Sequence, residues 1–343
     1  MERSLTPRQM AKGLLNGIVP ARPLFLPIVF SLGAKVENVP LGVFLWNPTK
    51  ISSALRQLRT HLRADGVACY CDPYLEVEAL GATLQSKADD QAPTIHWPHP
   101  VRIGELPEGL RSPEEAAISG RVPVAVEVIR RVKALANRDF LLMAGVTGPL
   151  TLAARITQLE KRGFLRWDDI SEAALELAGS VATQMASKFL EAGADLIIIQ
   201  EKIVPALSAE SCDAWANLLG PTINVVRFYE ALPLLLFPCG PFPQEHWNMI
   251  LRQNWNGVKC APADVITSRR RKGLPEDEGT AFGIALPLDA VGLDGGYDKS
   301  SVQDIQAWIS ELRPSIVTTA GDVPTKTDMK HLVKVFEGVP RAV

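Results

Sequence analysis

The sequence predicts an α/β fold, a single-domain (β/α)8 TIM barrel. Three observations predict it: short apolar runs alternate with longer segments of helical period, eight such runs can be counted, and no G-x-G-x-x-G follows the first of them to favour a doubly wound sheet. The 343 residues, 47% of them hydrophobic, are enough to bury one large core.

The elements follow in order. Residues 1–20 are expected to carry an N-terminal helix. The strand candidates are PLFLPIVF (23–30), GVACYCD (66–72), FLLMAGV (140–146), DLIIIQE (195–201), PLLLFPC (233–239), GVKCAPAD (257–264), AFGIALP (281–287) and SIVTTAG (315–321). Between them lie amphipathic segments with an N-capping Asn, Thr or Ser and, in two cases, an Ala-Gly or Glu-Gly stop: NPTKISSALRQLRTHLRA, GRVPVAVEVIRRVKALAN, SEAALELAGSVATQMASKFLEAG, SAESCDAWANLLG, SVQDIQAWISELR and TDMKHLVKVFEGV. A Pro-rich excursion between strands two and three, residues 85–120, is expected to form a long loop over the barrel mouth.

Composition narrows the function classes. Lys plus Arg (36) nearly balances Asp plus Glu (38), so no field of one sign recruits nucleic acid or an anionic membrane. The longest apolar runs fall well short of the roughly 20 residues that span a bilayer. The N-terminus has no secretory pattern, and five cysteines outside any disulfide framework fit a reducing compartment. The expectation is a cytoplasmic protein that acts on a small molecule.

In a barrel of this kind the chemistry lies at the C-terminal ends of the strands. The residues there are Asp72 (with Glu76 and Glu78 following), Thr147 and Gly148, Glu201 and Lys202, Cys239, Asp264, and Gly321 with Asp322. A carboxylate held over an apolar barrel can accept hydrogen bonds from a ligand, position a cation, or act as acid or base when burial raises its pKa. Against this stands the preference of Asp for capping the next helix, which explains Asp264 and Asp322 at least as well. Cys69 and Cys71 read as strand core, His96 and His99 as a proline-rich surface turn. The basic cluster SRRRKG (268–273) reads as a solvated loop, or as a contact for an anionic substrate or an acidic partner domain.

The stretches GVACYCDPYLEVEALGATL, GRVPVAVEVIRRVKA, LLMAGVTGPLTLAARI, EAGADLIII and TTAGDVPTKTDMKHLVKVFE, in this order and spacing, resemble the uroporphyrinogen decarboxylase superfamily, which includes cobalamin-linked methyltransferases. The resemblance covers roughly residues 20–340 and implies the same barrel. It also marks departures. The decarboxylases' MRQAGR stretch reads VFSLGA here, with Phe30 and Ala34 in place of the two arginines that hold porphyrinogen carboxylates. The pyrrole-binding Asp matches Asp72. The family's tyrosine falls at Arg155, its serine at Lys202 and its late histidine at Gly321.

In the methyltransferase branch a His-x-Cys pair and a late Cys hold zinc. The matching positions are Phe237-Pro238-Cys239 and Gly321, so the family's zinc site is not expected to form; a rebuilt set would need Cys239 with Glu201, Cys260 or His246.

The resemblance therefore implies a corrinoid-linked methyltransferase or demethylase without the usual zinc ligands. The corrinoid (cobalamin) would be carried on a partner protein, the substrate would be small and anionic, and a homodimer is the family expectation. The expected catalytic residues are Asp72, Glu201, Lys202 and Cys239. The expected substrate-binding residues are Arg155, Thr147, Gly148, Glu76, Asp264 and Gly321. Cys239 is the only metal candidate. Two alternatives stay open: a metal-free decarboxylase of a pyrrole or other heteroaromatic acid, and a non-catalytic tetrapyrrole-binding barrel.

Overall fold

The structure is a computed structural model that describes residues 5–85, 93–135, 140–162, 165–237, 244–253, 255–271, 281–288 and 299–340. Eight strands form one parallel sheet: β1 (Leu24–Leu26), β2 (Gly66–Tyr70), β3 (Leu141–Thr147), β4 (Leu196–Gln200), β5 (Leu232–Leu236), β6 (Val258–Pro262), β7 (Phe282–Leu286) and β8 (Ile316–Thr319). Each lies beside its sequence neighbour, and β1 closes back on β8 in the register Leu24 to Ile316 and Leu26 to Thr318. At the remaining seam between β1 and β2, the Asp65 N–H donates to the Phe25 carbonyl at 2.9 Å, and the Asp65 carboxylate accepts the Phe25 N–H at 2.9 Å while pairing with Arg22. The result is a nearly closed (β/α)8 barrel.

All eight predicted strands are present, one to four residues shorter than the apolar runs at most ends. The strands from β2 to β6 are buried at every position, as expected where helices cover one face and the barrel interior the other. The helices Pro48–Leu62, Glu172–Ala192 and Ala209–Phe228 are capped by Asn47, Ser171 and Ser208, whose side chains accept N–H groups of the first turn. Gly193 stops the second of these in the left-handed region, at φ 112°.

Two details differ from expectation. The segment SAESCDAWANLLG does not stop at Gly220; the helix runs on through Pro221 to Phe228, because the next turns bury Thr222, Ile223 and Val226 and that packing outweighs one lost backbone bond. The last helix, Met329–Phe336, is capped by Asp328 rather than Thr327.

The 85–120 stretch contains more than loop. Thr83–Gln85 and Thr94–His96 form an antiparallel ribbon, and Pro113–Ala116 a short capped helix. Among the described residues no helix is long and apolar enough to cross a membrane.

Candidate active site

The C-terminal ends of the strands surround a cavity of about 540 Å³. Its rim is apolar, with Leu41, Leu45 and Trp46 on one side and Leu84 of the ribbon on another. Its floor is polar, with Cys71, Asp72, Gln200, Lys202 and Asp322. A small-molecule site of ordinary size has this make-up.

Asp72 follows β2 and is already engaged. One oxygen accepts the Tyr74 N–H at 2.9 Å, and the other is ion-paired with Arg121, whose Nε binds Glu78. Arg121 is 3% exposed, so this fork is a buried, charge-assisted tie between the β2 loop and the start of the helix Val122–Leu135. Glu76 does not face the cavity. It is fully buried and accepts both the N–H and the hydroxyl of Thr147 at 2.8 Å, fastening the helix Leu75–Ala79 to the end of β3; burial raises its pKa.

Glu201 and Lys202 leave β4 in opposite directions. Glu201 turns inward, with no exposed surface, and accepts four hydrogen bonds: Leu150 N–H (3.1 Å), Thr151 N–H (2.9 Å), Thr151 Oγ1 (2.7 Å) and Trp215 Nε1 (3.0 Å). It caps the helix Pro149–Ile156 from outside that helix's own sequence. Burial pushes its pKa up to about 7, against the pull of those donors. Gly148 permits the approach, since a Cβ there would run into the Glu201 carboxyl.

Lys202 turns outward to the cavity. Its backbone N–H is fixed by Thr151 Oγ1 at 2.8 Å, but its ammonium has no hydrogen bond or ion pair among the described residues. The walls around it and the neighbouring charge of Arg155 lower its pKa, although the residue keeps an exposed surface where it lines the cavity.

Arg155 is 4% exposed. It donates to the Pro73 carbonyl, reaches Glu160 at 3.4 Å and lies 4.8 Å over the Tyr74 ring. It meets the site only in a recess of about 10 Å³, room for one water, shared with Asp72, Thr147 and Lys202. Asp322 reaches to the chain that follows the adjoining strand β1 instead of capping the next helix: its oxygens accept the Ser31 N–H at 2.9 and 3.2 Å, and burial pushes its pKa to about 7.

Of the remaining expectations, Asp264 stands exposed in the first turn of the helix Ala263–Arg271, away from the residues lining the cavity. His96 and His99 are exposed. Cys260 is buried against Gly283, where an added Cβ would collide with its sulfur, and burial raises its thiol pKa. Cys71 accepts a hydrogen bond from Gln200 Nε2 at 2.8 Å, whereas Cys69 faces the Val67 carbonyl; a register shift between Ala68 and Tyr70 interrupts the simple alternation of β2. Cys239, the side chains of His246 and of residues 268–271, and residues 272–273 of the basic cluster lie outside what is described.

Among the described residues no group of three or more His, Cys, Asp or Glu could hold a metal ion. Two of the three positions implied for zinc do not fit one. Phe237 is buried in an aromatic cluster with Trp215, Trp247 and Trp255. Gly321 offers no ligand, and a Cβ there would stand 3.8 Å from the Lys202 Nζ, so a lysine amine sits where that side chain would point. Phe30, in place of a family arginine, is likewise core, with ring centroids 4.8 Å from Tyr70 and 5.7 Å from Phe44.

Sequence reasoning missed Arg121 and Gln200. Arg121 stands in GRVPVAV, where it reads as one more charge at a helix start. Gln200 ends an apolar strand as a buried polar residue, and that was a usable signal.

Fold and site together define a (β/α)8 barrel with a polar-floored ligand cavity at the C-terminal ends of its strands. The chain belongs to the uroporphyrinogen decarboxylase (URO-D) family, which matches residues 28–276. It is similar to the methylcobamide:CoM methyltransferase MtaA of Methanosarcina barkeri, including that of strain Fusaro, with 27% identity over 131 residues. That match spans 37% of this chain and 37% of the relative, well short of the relative's whole length. A solved structure described as a methyltransferase from Methanosarcina mazei superposes with a TM-score of 0.76 at 17% identity, covering 97% of this chain and 98% of the other; at that identity the likeness is one of fold.

Proposed function

We propose that this protein moves a methyl group between a small anionic substrate and a corrinoid carried on a partner protein, and does so without zinc. The observation that carries the reading is the Lys202 amine at the floor of the mouth cavity, which has no hydrogen bond or ion pair among the described residues and can meet an anionic group or a developing negative charge. The similarity to a methylcobamide:CoM methyltransferase supports the reaction class.

A corrinoid supplies the cobalt centre that accepts or delivers the methyl group. This chain's residues do the rest. The apolar rim at Leu41, Leu45 and Trp46 shields the reacting atoms from water. In its protonated form Lys202 orients the substrate's anionic end and gives its proton to the group that the methyl leaves. Asp322, held to Ser31 and titrating near neutrality beside Lys202, returns that proton between turnovers.

Decarboxylation of a pyrrole acid has less support. Asp72, which would have to receive pyrrole N–H groups, has both oxygens engaged by Tyr74 and Arg121, and Phe30 and Ala34 offer no carboxylate anchors.

The test is anaerobic mixing of the purified protein with cob(I)alamin and a panel of small methylated anions. Conversion of the cob(I) spectrum to that of methylcobalamin, with Lys202→Met at least tenfold slower, supports the reading. Carbon dioxide release without cobalamin would replace it with a decarboxylase, and neither signal would leave a binding protein.

A further inference from the structure

We propose that Lys202 is also a carbonyl-capturing amine, and that the mouth cavity forms a Schiff base between Lys202 Nζ and a small aldehyde or 2-oxo acid. Three features of the site point there. The amine is open to a cavity of about 540 Å³ and has no internal partner among the described residues. The neighbouring position is Gly321, which has no side chain to cover the amine: a Cβ there would stand at ordinary contact distance, 3.8 Å from Nζ and 3.7 Å from Leu288 Cδ1, so a trigonal carbon can approach the lone pair from that side. A carboxyl group, Asp322, lines the same cavity, is held by Ser31 and interacts electrostatically with the amine, so it can donate and recover a proton. The lowered lysine pKa adds to this, since a larger fraction of the amine is neutral near pH 7 than for a surface lysine.

The step balances without any further reactant. The neutral amine adds its lone pair to the carbonyl carbon, and the carbonyl π pair moves to oxygen, which takes a proton from Asp322. The carbinolamine nitrogen gives up one proton to the Asp322 carboxylate. The hydroxyl then leaves as water with a proton from the same acid, and the imine nitrogen carries a proton at neutral pH. One C=N bond and one water replace one C=O bond, one N–H bond and the Asp322 O–H bond, and Asp322 is left as the carboxylate beside the iminium.

This inference shares Lys202 with the methyl-transfer reading but needs no corrinoid, so either can fail alone. The experiment treats the full-length protein at neutral pH with glyoxylate in one arm and acetaldehyde in another. Sodium cyanoborohydride is added to reduce any iminium to a stable secondary amine, and each lysine is then mapped by peptide mass spectrometry.

The expected result is one adduct per chain on Lys202, formed at least tenfold faster than on an exposed lysine such as Lys12, in at least one arm. The arm that reacts identifies whether the carbonyl carries a carboxylate. Asp322→Asn should slow labelling of Lys202 several-fold without changing that of Lys12. Labelling of Lys202 no faster than that of Lys12 in both arms would overturn the proposal, as would a modified Lys202 whose rate is the same in Asp322→Asn.

Discussion

Glu201 and Lys202 are neighbours in the chain, yet one is spent on structure and the other on the cavity. Glu201 satisfies two N-terminal N–H groups of a buried helix, a threonine hydroxyl and an indole, so Glu201→Ala leaves four donors without an acceptor. The expected loss is roughly 3 kcal/mol of stability, read as a lower urea midpoint, with Glu201→Gln costing less because it keeps one acceptor. The pH dependence has a definite sign. The folded pKa near 7 lies above the ordinary 4.5, so between these values the folded state binds more protons than the unfolded one. The contribution of Glu201 to stability therefore falls as pH rises from about 4.5 through 7 and levels off above the folded pKa, and Asp322 acts in the same direction. Stability of the wild type should drop between pH 5 and 8 more than that of Glu201→Gln. Lys202 has no internal partner among the described residues to lose, so Lys202→Met should leave the midpoint within about 0.5 kcal/mol of wild type while removing the anion contact.

At the scale of elements, the site is held by ties between strand ends and the helices that follow. Arg121 joins two carboxylates 49 and 43 residues earlier to the start of its helix. Arg121→Met would leave the partly buried carboxylates of Asp72 and Glu78 side by side without their shared cation, and a loss of about 3 kcal/mol, the low end for a broken buried pair, is expected in equilibrium unfolding. Gly148→Ala should also destabilise, because backbone and carboxyl must separate to admit one methyl group. These ties explain which parts could be read from the sequence. Strands such as DLIIIQE and helices such as SEAALELAGSVATQMASKFLEAG declare themselves through local period and caps. The positions of Asp72, Lys202 and Asp322 at the mouth follow from strand ends alone. The partner of each carboxylate does not, because Arg121, Thr151 and Ser31 lie tens to hundreds of residues from their acids and meet them only once neighbouring βα units have packed. That is why Glu201 and Glu76 read as mouth residues and prove to be fasteners. The continuation of a helix through Pro221 was hidden for a related reason: the stop signal is local, whereas the burial that overrides it is not.

At the scale of the molecule, the barrel puts an amine beside the place where a side chain on residue 321 would point. Elemental analysis of the purified protein should therefore find no stoichiometric zinc, and Cys239→Ala should not change the result; one zinc per chain lost on that substitution would mean a ligand set rebuilt around Cys239. Gly321→Cys alone should not create a zinc site, since a lysine amine would share the space with the cation.

The seam has a consequence of its own. β1 is made early, but its hydrogen-bonding partner β8 begins at Ile316, so a chain leaving the ribosome carries Leu24, Phe25 and Leu26 without their second neighbour until almost all of it has been synthesised. Newly made chains must keep a sticky edge out of harm's way for most of their translation. A chain cut short before Ile316 can never cover that edge, and such fragments are the ones that would be found with chaperones or in inclusion bodies.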